Sequence, residues 1–218
     1  MNSNIGINPV NKDLLVHQVY SDLKKMILSG ELQPGEKLYQ ERIARRLGVS
    51  RTPLVKAFHI LEHEMLIRSI PGRGMYVAVT SIHDLIDAFE CRQGIETTGV
   101  RIIANKITPD EVEELKSFFK PFLNSKNINY DLYLKADSDF HHRLIQLSHN
   151  NYLVRMSKIV NIFERSYEHG LIREPSETLP EHLKIISALE TRDPGLAEEF
   201  MRNHIRKSIE KIKVNIIS

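Results

Sequence analysis

The sequence predicts a mainly α-helical chain: a head of three helices and a β-hairpin, then an all-helical antiparallel bundle. Three observations carry this. Apolar residues recur at helical spacing through most of the 218 residues. The two short β-rich runs both fall before residue 80, on either side of a Gly-rich tip. Charge is also partitioned, with 11 Lys+Arg against 7 Asp+Glu in residues 1–80, and 19 against 21 in the rest.

Residues 1–12 are polar, with Gly6 and Pro9, and read as a loose arm. From Asp13 to Ser29 the residues Leu14, Leu15, Val19, Leu23, Met26 and Ile27 follow a helical period, and Gly30 ends it. After a Pro34-Gly35 turn comes a short helix over Tyr39–Leu47, with Ile43, Ala44 and Leu47 inward and Gly48 as its stop. Ser50 stands at the N-cap of a third helix, Arg51–Glu64, with Pro53 in the first turn and Leu54, Ala57, Phe58 and Leu61 as its buried face. Leu66–Ile70 and Met75–Val79 flank Pro71-Gly72-Arg73-Gly74 as a hairpin.

Beyond Thr80 the signals are helical. Ser81 with Asp84 forms a capping box for a helix reaching about Asn105. Thr108-Pro109-Asp110-Glu111 opens the next. Later helices are expected over about 111–124, 130–148, 151–172, 178–191 and 195–216. Breaks are expected at Asn127–Asn129, Asn150, Glu174–Ser176 and Asp193-Pro194-Gly195. The expected organisation is an arm (1–12), a head (13–80) and a helical domain (81–218).

A formal net charge of +2, 41% hydrophobic and 27% charged residues exclude a disordered or collagen-like chain. The single cysteine, Cys91, excludes an internal disulfide and every Cys-rich zinc module, and is expected to be a small buried residue. No apolar run approaches the roughly 18–20 residues of a membrane helix, and the N-terminus lacks the layout of a signal peptide. A cytoplasmic protein without membrane partners is the expectation.

Within 37–73, eight basic residues stand against three acidic ones, which suits a nucleic-acid-binding head. Three helices with a tight turn before the third, followed by a hairpin, form a winged helix-turn-helix pattern. Its third helix fits the major groove and brings Ser50, Arg51 and Thr52 to base edges and phosphates. Arg45 and Arg46 at the end of the second helix are placed for backbone contacts, or are plain solvated charges, and Arg73 at the hairpin tip is placed to contact a groove or a phosphate.

These residues match a known family. "GELQPGEKL", "ARRLGVSRTPLVKAF" and "PGRGMYV" resemble the head of the GntR family of bacterial transcription regulators, over about Leu14–Val79. The resemblance implies a homodimer that binds a short pseudo-palindromic operator in double-stranded DNA. The family usually reads S-R-x-P-V-R-E-A-L, whereas this chain has Val55 and Lys56 in place of the second Arg and the Glu. Either Val55 faces away from DNA, or the operator differs from the family's common one and Lys56 supplies backbone affinity.

Ten histidines is a high count for this length, and several fall in a suggestive layout in the helical domain. Asp137 and His141 are i,i+4, about 40° apart on one helix face, but spacing alone does not separate a metal pair from coincidence. "DSDFHHRLIQLSHNNYL" and "EHLKIISALETRDPGLAEEFMRNHI" resemble the FadR-like branch of the family and its FCD ligand domain. That resemblance implies Asp137, His141, His182 and His204 as ligands of a divalent transition metal, Zn²⁺ or Ni²⁺ in first place. Three imidazoles and a carboxylate suit such ions without selecting among them. It also implies a small carboxylate effector and a cavity-facing Arg92, whose guanidinium is a natural carboxylate clamp. The other reading of Arg92 is an ion pair with Glu96 at i+4.

A metabolite-responsive regulator, a repressor, is therefore expected, and not an enzyme. The alternatives are a purely structural or signalling metal without an organic effector, and a metallohydrolase. Against the last, no Glu adjoins a ligand in the H-E-x-x-H manner that supplies a general base.

Overall fold

The computed structural model describes residues 12–79, 81–125, 127–159 and 170–217. Most of the expected N-terminal arm, Thr80, much of the second half of the helix expected over 151–172, and His169 lie outside the described residues. The chain divides into two compact units, Met1–Val79 and Thr80–Ser218.

In the first unit, α1 (Lys12–Leu28), α2 (Gln40–Leu47) and α3 (Arg51–His63) pack with a three-stranded antiparallel sheet. Its strands are β1 (Lys37–Leu38), β2 (Ile67–Ile70) and β3 (Gly74–Val77), in the order β1-β3-β2. β2 and β3 are the expected hairpin, with Ile67 opposite Val77 and Ile70 opposite Gly74. β1 was not expected: two residues have no period of their own, and the strand exists through the pairing of Lys37 with Tyr76 and Leu38 with Met75. The turn between α2 and α3 depends on Gly48, whose φ of 65° is left-handed. Val49 N–H closes it on the Ala44 carbonyl at 3.0 Å. Leu23, Ile43, Leu54, Phe58, Leu61, Ile67 and Val77 form the core, the apolar set that burial stabilises against chain entropy.

The second unit holds α4 (Ile82–Ala104), α5 (Pro109–Phe119) with a 3₁₀ turn at Lys120–Phe122, α6 (Tyr130–Leu147), α7 (Asn151–Ile159), α8 (Pro175–Glu190) and α9 (Pro194–Ile217). α4 and α8 both pack along α9. Each helix start has a sequence cause. Ser81 and Asp84 exchange hydrogen bonds at 2.7 and 3.1 Å, and Thr108 and Glu111 do so at 2.8 and 3.3 Å. Asn129, Asn150 and Asp193 cap α6, α7 and α9 through their side-chain oxygens. α8 begins earlier than expected because Pro175 occupies its first turn, where a missing N–H is harmless, instead of breaking the chain.

Phe119, Tyr133, Phe140, Leu144, Ile185, Leu189, Met201 and Ile205 centre the core of this unit. Gly99 permits a close approach of α4 to α6: a Cβ there would stand 3.1 Å from Ile145 Cδ1. Cys91 is exposed, contrary to expectation. It lies on the outward stripe of α4 with Asp87 and Gly94, one turn to either side, so the helical period and not residue type decides its place. No helix among the described residues is long and apolar enough to cross a membrane.

Candidate metal centre and DNA-reading head

α6, α8 and α9 bring Asp137, His141, His182 and His204 together inside the second unit. His141 and His182 are fully buried, and His204 and Asp137 nearly so. One ring nitrogen from each of the three histidines lies within 4.8 Å of the others. Asp137 Oδ1 is 3.1 Å from His182 Nε2, and Asp137 Oδ2 is 4.0 Å from His141 Nε2. Despite these separations no hydrogen bond joins them: Nε2 of His141 and Nε2 of His182 are buried without a hydrogen-bond partner. An unsatisfied buried polar atom costs roughly 1–3 kcal/mol, so two in one place mark a site for something that accepts lone pairs.

The outward side of each ring is held. His141 Nδ1 is hydrogen-bonded to Glu96, and His204 Nδ1 to Glu181 Oε2 at 2.9 Å. His182 Nδ1 is 3.3 Å from the Tyr133 hydroxyl, which is 2.8 Å from Thr178 Oγ1. A proton on Nδ1 of each ring satisfies these contacts and leaves the Nε2 lone pairs for the centre. Burial pushes the His182 pKa well below the ordinary imidazole value, and lowers that of His204 against the opposing Glu181 hydrogen bond. Both rings are thus neutral near pH 7, the form that binds a metal.

The carboxylates behind the rings are ionised. Burial opposes the charge on Glu96, but Arg92 and His141 outweigh it and hold the pKa down to about 2. Burial likewise opposes Glu181, yet His204, Arg173 and Lys207 hold its carboxyl well below the usual range. Three imidazoles and one carboxylate form a donor set that fits Zn²⁺, Ni²⁺ or a similar ion.

A small pocket, partly open to solvent, adjoins the cluster, lined by Arg92, Asp137, Arg173, Thr178, His204 and Ser208 with Phe89, Leu171 and Ile172. Arg92 combines both sequence readings. It lines the cavity, and its Nε also donates to Glu96 Oε1 at 2.7 Å. Sequence reasoning missed Glu181 and Arg173. Arg173 precedes α8 with no local signal. Glu181 adjoins His182 in sequence but, about 100° around the helix, reaches His204 on α9. Five other histidines, His17, His59, His63, His83 and His149, are exposed.

In the head, Arg51, Thr52 and Lys56 are exposed on α3 and Val55 is half-buried. Ser50 stands at the N-cap but makes no side-chain capping hydrogen bond. Arg51 Nε donates to Gln40 Oε1 at 2.8 Å. Arg45 and Arg46 are exposed at the end of α2, with Arg46 paired to Glu31, and Arg73 is exposed between β2 and β3. Lys37 Nζ lies 5.3 Å from the Tyr39 ring centroid and 5.8 Å from that of Tyr76, cation–π contacts that spacing did not foretell.

Comparison with known proteins agrees with this architecture. The family profile described as bacterial regulatory proteins, gntR family, matches residues 15–77, and the FCD domain profile matches residues 87–207. The chain is 31% identical over 189 residues to the Nta operon transcriptional regulator of Aminobacter aminovorans, across 86% of this chain and 89% of that one. It is 28% identical over 211 residues to the HTH-type transcriptional repressor RspR of Escherichia coli (strain K12), across 94% and 90%. The solved structure titled E. coli McbR/YncC shares the fold, with a TM-score of 0.71 at 21% identity, covering 93% of this chain and 98% of that one.

The chain belongs to the GntR family of bacterial transcription regulators and carries an FCD domain. It is a DNA-binding regulator of transcription and not an enzyme.

Proposed function

We propose that this regulator is a homodimeric repressor whose operator binding responds to a small carboxylate at a metal centre in the FCD domain. Asp137, His141, His182 and His204 hold the metal, Zn²⁺ or Ni²⁺. When bound, the ion supplies a positive centre beside the cavity that draws an anionic ligand. Arg92 adds a guanidinium facing the same space. The observation that carries this reading is the pair of partnerless buried Nε2 atoms, on His141 and His182, beside an arginine-lined cavity.

Ser50, Arg51, Thr52 and Lys56 contact the operator from α3, with Arg45, Arg46 and Arg73 on the backbone or in a groove. The E. coli relative is named as a repressor, which favours repression over activation. Half-sites on DNA must lie about one helical turn or a multiple apart, so a small change in dimer geometry is enough to switch binding. An effector acts only through its differential affinity for the two states.

The engagement of Arg92 by Glu96 favours a second reading, in which the metal is structural or is itself the signal and no organic effector binds. A gel-shift titration of the metal-loaded protein on its operator, with a panel of small carboxylates, separates the two. The proposal expects at least one to change operator affinity by about 5-fold or more. A panel without effect, with operator affinity following metal alone, supports the second reading.

A further inference from the structure

Two arms of one plan stand behind the histidines. Glu96, fully buried, is hydrogen-bonded to His141 Nδ1 through Oε2 and accepts from Arg92 Nε through Oε1 at 2.7 Å. Glu181 Oε2 faces His204 Nδ1 at 2.9 Å, and its carboxylate accepts from Arg173 Nη1 and Nη2 at 2.7 and 2.9 Å. Lys207 adds a second cation to Glu181 at 2.7 Å. The arms are built from different segments: α4 to α6 in one case, and the stretch before α8, then α8, to α9 in the other.

An ion pair needs only one oxygen of each glutamate. Here a Glu96 oxygen is turned to His141 Nδ1, opposite the unbonded Nε2, and a Glu181 oxygen to His204 Nδ1. An ionised carboxylate only accepts, so the nitrogen facing it must carry the proton. The arginines fix the carboxylates in turn, Arg92 through its Nε at Glu96 and Arg173 through a two-pronged contact at Glu181.

We infer that Glu96 and Glu181 are positioning residues of the metal centre, which fix the Nδ1–H tautomer and the ring orientation of His141 and His204. The inference rests on the metal centre proposed above and adds to it the residues that set its affinity. Groups of this kind typically change metal affinity 10- to 100-fold when removed.

The test uses the full chain, stripped of metal and titrated with zinc against a chromogenic chelator. Imidazole tautomers are read on the metal-free chain by long-range ¹H–¹⁵N correlation. Glu181→Ala is expected to weaken zinc binding about 10- to 100-fold and to move His204 away from the Nδ1–H pattern. Glu181→Gln, which keeps an acceptor oxygen, loses less. Glu96→Gln is expected to do the same at His141. Removing the charge of Glu96 takes a buried anion from beside Arg92 and can unfold the domain, so Glu181, with 15% of its side chain exposed, is the decisive position.

A folded Glu181→Ala protein with wild-type zinc affinity, or with His204 still protonated on Nδ1, overturns the inference. Asp137→Ala separates the two levels of the argument. If the wild-type chain takes up no zinc, the metal centre and the positioning role fail together. If Asp137→Ala loses zinc while Glu181→Ala matches wild type, only the positioning role fails.

Discussion

The ring of His182 stacks on that of Phe119, with centroids 4.5 Å apart and planes 12° from parallel. Phe140 meets the same imidazole edge-on at 5.1 Å. Two aromatic rings and the Tyr133 hydroxyl therefore hold this ring, with Nε2 3.1 Å from Asp137 Oδ1. The apolar core and the candidate metal centre share a wall, so packing changes in α5 reach the site.

Phe119→Ala is expected to destabilise the second unit by about 3–5 kcal/mol, the usual cost of emptying a fully buried aromatic position. It should also weaken metal binding by loosening His182. Urea unfolding gives the first effect and zinc titration the second. Loss of stability with unchanged zinc affinity contradicts the shared wall.

Acid should destabilise the metal-free protein in two stages. The folded pKa values of His182 and His204 lie below the ordinary 6.5, so below that pH the unfolded chain binds protons that the folded chain refuses. Stability therefore falls as pH drops from about 6.5 toward the depressed values. Glu96 acts lower, because its folded pKa of about 2 lies under the ordinary 4.5. Its contribution is complete above 4.5 and disappears as pH falls toward 2. Thermal melts of chelator-treated protein from pH 8 to pH 4 check this. A midpoint that stays level between pH 7 and pH 5.5 contradicts the buried neutral histidines.

For the head, Arg51→Ala is expected to cost about 1–3 kcal/mol of operator affinity and to relax specificity at one base position. Its guanidinium, now held by Gln40, must exchange that partner for a base. Lys56→Ala and Arg73→Ala should weaken binding evenly across sequences and reduce the salt slope by about 1 each. Footprint-based affinity measurements at several salt concentrations distinguish these patterns. The opposite pattern, with Arg51 uniform and Lys56 base-specific, removes the assigned roles.

Val55 gives a further check. Sites selected from random DNA should differ from the family's common half-site, and Val55→Arg should shift selection toward it. Wild-type selection of the common half-site ends the idea that this substitution alters the operator.

The starts of α4 and α5 were legible because a Ser or Thr cap stands just before each. Ser81 and Thr108 declare themselves because the acid that completes each box lies three positions on. β1 was not legible, since Lys37 and Leu38 become a strand only by finding Tyr76 and Met75. The position of Cys91 was misread from its type, when the outward stripe of α4 decides it. At the candidate site, spacing could suggest only Asp137 with His141, and family resemblance supplied His182 and His204. The glutamates and Arg173 act across helices, through contacts that no linear spacing encodes.

The most direct test of the account is the metal content of the purified chain, by elemental analysis after removal of loosely bound ions. The account predicts one Zn²⁺ or Ni²⁺ per chain in the wild type. Asp137→Ala and His204→Ala should have little metal, with the head still folded. Metal content unchanged in both variants, or absent from the wild type even after incubation with either ion, contradicts it.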